Sequence, residues 1–486
     1  MPRRPSSFYF LLLLPLLALA CQPGAEAPAA ESQDAVVARI EADLQPSLVI
    51  EGRAREPQTI LERMEHHGVP GMSVAFFSDG EIQWTRQYGL AEVSTARPVA
   101  ADTRFQAASI SKPVAATVAL RLVDEGLLDL DSDINEKLTS WLVPANEFTA
   151  AEPVTLRGLL THTAGLTVHG FPGYGLDEVV PTTVEVLEGL GNTDPVRVDL
   201  EPRTQWRYSG GGYTVMQLLV TDVTGVSFPD LMAARVLQPL GMTSSRYEQP
   251  LSAELRPIAA VGYRGDGGEV DGQYHTYPEM AAAGLWTTPS DLARWAMALQ
   301  AAHRGQAHPV LAAAMTTAML TPDLNGQGLG PGLRVGGAYF GHGGANEGFR
   351  CDLMAQLDGT QGVAIMTNSD NGSAVIAELR LTIAREYGWE GVEPTVKSVV
   401  ELGDEALARY AGSYRAEGVP GDVEIVIEGE TLVAVLTGSG QRVVFLAESE
   451  TEFFDAEDGT PMLFEVDASG TATGFGLQGL EFSKVE

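Results

Sequence analysis

Ser109 and Lys112 stand three residues apart in Gln106-Ala107-Ala108-Ser109-Ile110-Ser111-Lys112-Pro113, at the mouth of an apolar run. On a helix, positions i and i+3 share a face, so both side chains would enter one cavity. A serine hydroxyl beside a lysine is the start of an acyl-transfer site, with a nucleophile and a group that handles its proton. The composition sharpens the pairing. Of 31 basic residues only Lys112, Lys137, Lys397 and Lys484 are lysines, and only Lys112 has a serine three residues before it. Arginine keeps its proton inside a protein, whereas a desolvated lysine can release one.

Two further stretches carry the rest of such a site. In Trp206-Arg207-Tyr208-Ser209-Gly210-Gly211-Gly212 a tyrosine precedes a glycine-rich bend and a helix. Glycines let the backbone turn tightly and leave the phenol open to a cleft. A cation beside a tyrosine favours its phenolate, so near Lys112 Tyr208 could serve as a base. In Phe340-Gly341-His342-Gly343-Gly344-Ala345 a cation-capable ring follows an expected strand, with backbone that can approach a substrate closely. The eight histidines form no HExxH or Cys/His ligand set, so no metal and no cofactor is expected. His66 and His67 close a helix end, where a cation suits the dipole.

The elements that must position these residues can be read from periodicity. A short helix is expected near Pro57 to His67, then a hairpin of Gly71–Phe77 and Ile82–Tyr88 turning at Ser78-Asp79-Gly80. The helix from Ser109 to about Glu125 is apolar almost all round and should lie buried at a domain centre, with Pro113 tolerated in its first turn. Residues 127–300 alternate helices with Gly/Pro-rich loops. Strands are expected at Leu333–Phe340, Gly348–Leu357 and Gly362–Thr367, followed by a helix over Ser373–Tyr387. The two ends of the unit can therefore pair as one antiparallel sheet flanked by terminal helices around an all-helical subdomain, an α+β plan. Beyond Leu402, short strands at regular spacing indicate a small all-β barrel or sandwich, read as an accessory domain.

With these residues in order, the chain resembles the serine β-lactamase-like superfamily, closest to its class C branch with D-alanyl-D-alanine carboxypeptidases and family VIII esterases. Leu160-Thr161-His162-Thr163-Ala164-Gly165-Leu166 and Ala283-Gly284-Leu285-Trp286-Thr287-Thr288-Pro289 look like supporting stretches of the same family. The resemblance implies that Ser109 forms an acyl-enzyme and that Lys112 and Tyr208 shuttle the proton. It implies that the Ser109 and Ala345 amides make the oxyanion hole, and that His342, Gly343 and Gly344 line the substrate edge, with His342 helping to hold a substrate carboxylate or the Tyr208 proton network. Two departures bear on substrate. Gly210 stands where an Asn is common, and His342 stands where true class C β-lactamases carry Lys. The first puts amide and β-lactam hydrolysis in doubt, and the two together leave ester hydrolysis or D-amino-acid peptide chemistry open. The expected protein is an exported serine hydrolase acting on esters or small amides. A D-stereospecific peptidase on cell-wall or peptide material is the alternative within enzymes, and a non-catalytic binding lipoprotein on the same fold is the alternative outside them.

Composition sets the address. The 486 residues carry a formal net charge of −33, which would repel nucleic acid and anionic lipid, so the expected partner is a small-molecule ester or peptide. Arg3 and Arg4 precede an apolar run, Phe8 to Ala20, too short to span a membrane and suited to a signal peptide. It ends at Cys21, the expected lipidation site of a bacterial periplasmic or membrane-anchored lipoprotein. With Cys351 as the other cysteine, no intrachain disulfide is then expected. The expected organisation is a signal peptide over 1–21, a flexible linker over 22–50, the hydrolase domain over 51–390, a linker over 391–401 and the barrel-like domain over 402–486.

Overall fold

A computed structural model describes Met1 and residues 32–438 and 440–485. Phe8–Ala20 and Cys21 lie outside the described residues. Seven strands form one antiparallel sheet: β1 (Gly71–Ser78), β2 (Glu81–Glu92), β3 (Arg97–Pro98), β4 (Gly332–Arg334), β5 (Tyr339–Asn346), β6 (Phe349–Gln356) and β7 (Gly362–Thr367). Their order is β3-β2-β1-β7-β6-β5-β4, so β1 and β7 from opposite ends of the unit pair at its centre. Asp79 and Gly80 both take positive φ, 55° and 79°, the geometry of the two-residue turn that joins β1 to β2.

The sheet is covered on both faces, and its alternation shows it. Met72, Val74 and Phe76 of β1, with Val363 and Ile365 of β7, face one core. There they meet α1 (Gln33–Ala42), α2 (Ile60–His66) and the last helix of the unit, Gly372–Tyr387. Ala75, Phe77, Ala364 and Met366 face the other core, with α3 (Ser111–Asp124), α4 (Gly210–Thr224) and α5 (Pro289–His303); the Gly372–Tyr387 helix is α6. As its composition dictates, α3 is buried on nearly every side, from Ser111 to Leu120 and again at Leu122.

Three expectations change. Residues 33–42, read as part of a flexible linker over 22–50, form α1. Its Ser32 cap accepts from the Ala35 amide, and Val37 and Ile40 are buried in the core shared with α6. Leu48–Ile50 then pairs in parallel with Thr395–Lys397, a stretch read as linker over 391–401. Val37 and Ile40, three residues apart, share the face that docks the helix, and Val36 packs beside them. The strand expected over Leu333–Phe340 is two strands, β4 and β5, divided by a turn at Val335–Gly337. The His342 motif therefore lies within β5 rather than after a strand.

Eight strands between Gly412 and Lys484 close into a barrel, with the first strand pairing the last through Tyr414 and Lys484. Its core is aromatic: Tyr410, Tyr414, Phe445, Phe453, Phe464, Phe475 and Phe482. Leu446 and Phe454 on its outer side pack on Leu48, which ties the barrel to the N-terminal segment. Among the described residues, no helix is long and apolar enough to cross a membrane.

Candidate active site

The three motifs converge on one cleft of about 680 Å³, lined among others by Ser109, Lys112, Tyr208, His342, Gly343, Gly344 and Ala345. Ser109 lies in a single 3₁₀ turn, Ala108–Ile110, that feeds directly into α3. Ala108 just before it takes φ 48°, a costly conformation for a residue with a side chain, and one held by its surroundings. Phe105 and Gln106 pair with Thr287 and Trp286, and the Ala107 amide donates to the Leu285 carbonyl. Ser111 Oγ accepts from the Leu285 amide. The Ala283–Thr287 stretch is thus the clamp for the serine turn.

Lys112 is 2% exposed and reaches out of the buried helix. Its Nζ donates to Ser109 Oγ at 3.0 Å and to the Ala282 carbonyl at 2.8 Å. It also lies 4.9 Å from the centre of the Tyr208 ring. The spacing of Ser109 and Lys112 therefore does place both groups in one cavity, although the serine sits in the turn before the helix.

Tyr208 is held by histidines. His162 stacks on it at a ring separation of 4.3 Å, His169 lies at 4.9 Å and His342 at 6.0 Å. His162 Nδ1 accepts from the Ser209 amide at 3.1 Å, fixing the residue after the tyrosine. Ser209 caps α4 through Gly212 and donates to the Thr167 carbonyl. Burial, helped by the Lys112 charge, pushes the pKa of His162 well below the ordinary histidine value, so the ring is neutral and its Nε2 carries the proton. That Nε2 has no hydrogen-bond partner among the described residues. In the sequence His162 stands out only within a supporting stretch; its position two residues after the periodic Leu156–Leu160 run gave no signal that it meets Tyr208.

Gly210 has a physical reason. A Cβ there would stand 3.0 Å from the His169 carbonyl oxygen and 3.0 Å from Phe171 Cε2. The 169–171 loop occupies the space that an Asn side chain would need. Gly344 is more constrained still, since its Cβ would meet the Ala107 carbonyl oxygen at 2.3 Å and Cys351 Sγ at 2.4 Å. Only a glycine lets β5 pass this close to the serine turn.

His342 differs from its sequence reading. Burial and the Lys112 charge push its pKa down to about 3, so near neutral pH it is an uncharged ring and not a cation. Its Nδ1 lies 2.5 Å from the Gly343 carbonyl and so carries the proton, leaving Nε2 as an acceptor. Beyond β5 the cleft continues past Arg350, Asp352 and Arg380, where Asp352 pairs with both Arg334 and Arg380 at 2.8 Å.

Known proteins place the chain. The family model for Beta-lactamase matches residues 57–385, and that for a domain of unknown function, DUF3471, matches residues 397–485. Penicillin-binding protein 4* of Bacillus subtilis (strain 168) is 28% identical over 217 residues, covering 44% of this chain and 46% of that protein. Esterase EstB of Burkholderia gladioli is 32% identical over 225 residues, covering 43% and 55%. The chain thus spans about half the length of these two curated relatives. The octameric penicillin-binding protein homologue from Pyrococcus abyssi shares the fold, with a TM-score of 0.60 at 21% identity over 87% of this chain and 98% of that one. With two thirds of its length under one family model and an eight-stranded barrel behind it, the chain belongs to the β-lactamase family of serine hydrolases.

Proposed function

We propose that the protein is an exported serine hydrolase that cleaves esters or small amides through an acyl-enzyme on Ser109. The observation that carries this reading is the Lys112 ammonium, donated to Ser109 Oγ at 3.0 Å while lying against the Tyr208 ring in an open cleft. Ser109 Oγ attacks the substrate carbonyl carbon, and its proton passes to the Tyr208–Lys112 pair. That pair returns the proton to the leaving oxygen or nitrogen as the acyl bond breaks. Water then attacks the acyl carbonyl and gives its proton to Tyr208, which passes it to Ser109 Oγ as the acyl–oxygen bond breaks, so the acid leaves with Ser109 and Tyr208 restored. The Lys112 charge stabilises negative charge as it develops on either oxygen. The backbone amides of Ser109 and Ala345 receive the oxyanion, with Gly344 allowing β5 its close approach to the serine turn.

Two features favour esters. The space beside Gly210 is filled by His169 and Phe171, so no side-chain amide stands there to hold a substrate amide. His342 is neutral and offers an acceptor where a cation would anchor a carboxylate. Export and anchoring through Cys21 rest on the basic and apolar N-terminal sequence. A panel of p-nitrophenyl esters, D-Ala-D-Ala peptides and nitrocefin, assayed with wild type, Ser109→Ala and Tyr208→Phe, tests the reading. Ester turnover lost in Ser109→Ala is expected. Turnover of the D-peptides in preference to esters would replace it with the peptidase, and no turnover of any substrate would leave a binding protein.

A further inference from the structure

The end of α2 brings His66 and His67 together, their ring centroids 4.9 Å apart and inclined at 75°. Across the seam with the barrel, Glu457 projects from the loop that joins the Glu452–Asp455 and Pro461–Val466 strands. Its Oε1 lies 3.3 Å from His66 Nε2 and 3.8 Å from His67 Nδ1. One ligand atom from each of the three falls within 4.8 Å of the others. A tetrahedral zinc ion with bonds of about 2.1 Å holds its ligand atoms about 3.4 Å apart, so side-chain adjustments of about an ångström would close the set.

We propose that His66, His67 and Glu457 bind a divalent transition-metal ion of the zinc class, which clamps the barrel to the hydrolase domain. Two imidazoles and a carboxylate without thiolate suit Zn²⁺ and its late first-row neighbours rather than Mg²⁺ or Ca²⁺. A second observation points the same way. His67 Nε2 faces Glu378 Oε1 at 3.4 Å, and a metal-bound imidazole characteristically turns its other N–H to a carboxylate. Glu378 is buried and held by Arg63 Nε at 2.9 Å and Nη2 at 2.5 Å. Arg63 Nη2 also lies 2.9 Å from His67 Nε2. Arginine only donates, so the metal-free Nε2 is an acceptor there; an ion on Nδ1 would put the proton on Nε2, turning that nitrogen to Glu378 and Arg63 Nη2 wholly to Glu378 Oε1.

The surroundings suit a cation. The seam is a cleft of about 730 Å³ also lined by Asp370, Asp455 and Asp458. Arg63 is paired with Glu378 and Arg350 with Asp370, which leaves Asp455, Glu457 and Asp458 around the two histidines. His66 and Glu457 are 55% and 61% exposed at their side chains, so an ion can enter and a water can complete its shell. Ser373 and Ala377 of α6 line both this cleft and the Ser109 cleft, but no residue of the proposed acyl-transfer machinery takes part.

The test uses the full chain, stripped with a chelator. Zn²⁺ is titrated calorimetrically, Co²⁺ is followed by its visible absorption, and the thermal midpoint is measured with and without Zn²⁺. One equivalent should bind and raise the midpoint, since an ion that binds only the folded state stabilises it. His66→Ala and Glu457→Gln should each weaken Zn²⁺ binding at least about tenfold and abolish the rise in midpoint. Both positions are exposed, so metal-free ester turnover should stay at the wild-type level and report an intact fold. No saturable binding by the wild type, or undiminished binding by either variant, would overturn the proposal.

Discussion

Gly344→Ala is the sharpest small perturbation available at the active cleft. The new methyl carbon would sit 2.3 Å from the Ala107 carbonyl oxygen, 2.4 Å from Cys351 Sγ and 3.2 Å from Ala108 Cβ. Ordinary contact begins near 3.4 Å, so β5 and the serine turn must separate by about 1 Å. Overpacking of this kind costs about 1–3 kcal/mol of stability. The same displacement carries Ala345 away from Ser109, and a misplacement of about 1 Å at a reacting centre costs about 10²-fold in rate. The assay is kcat for a p-nitrophenyl ester, beside the thermal midpoint. Cys351→Ala separates the two effects. It removes the Sγ clash but leaves the closer one with the Ala107 carbonyl, so Gly344→Ala with Cys351→Ala should regain part of the lost stability and none of the rate. Gly344→Ala with kcat within about threefold of wild type would refute the claim that this approach sets the site.

Three further changes follow from the same geometry. Lys112→Arg keeps a charge but removes a group able to pass a proton, and should lower kcat by about 10²–10⁴-fold with little change in fold, measured by ester turnover. Gly210→Asn must push aside His169 and Phe171, and should lower the thermal midpoint and ester turnover together rather than add amide hydrolysis. Glu279 is buried with neither carboxyl oxygen hydrogen-bonded among the described residues, and burial pushes its pKa up to about 8. Between about pH 4.5 and 8 the folded chain therefore holds a proton that the unfolded chain has lost, so stability falls as pH rises. Glu279→Met removes that slope, and its advantage in denaturant unfolding should grow by about 2 kcal/mol from pH 6 to pH 8; a difference that does not change with pH would contradict the burial argument.

Much of this site was legible in the chain because each motif is local. Ser109 with Lys112, the tyrosine before three glycines and the histidine among glycines are short patterns whose chemistry needs no distant partner to be recognised. The buried α3 and the sheet built from both ends of the unit were equally plain from apolar periodicity. What escaped had tertiary causes. Strand β5 was ended at Phe340 because Gly341, Gly343 and Gly344 are poor strand formers, yet their smallness is what the packing demands. A Cβ at Gly341 would meet the Leu353 carbonyl oxygen at 1.8 Å. Helix α1 carries only Val37 and Ile40 as buried residues in a 10-residue stretch, too little pattern to separate from a tether. The neutrality of His342 comes from burial beside Lys112, which sits 230 residues away in sequence. His66 and Glu457 are 391 residues apart, and only the docking of the barrel brings them together.

The most direct test of Ser109 as the nucleophile is intact-protein and peptide mass spectrometry after mixing with a slowly deacylating activated ester and quenching in acid. One acyl group per chain should appear, on the peptide containing Ser109, and should vanish in Ser109→Ala. An adduct that survives in Ser109→Ala, or ester turnover by that variant at the wild-type rate, would contradict the assignment.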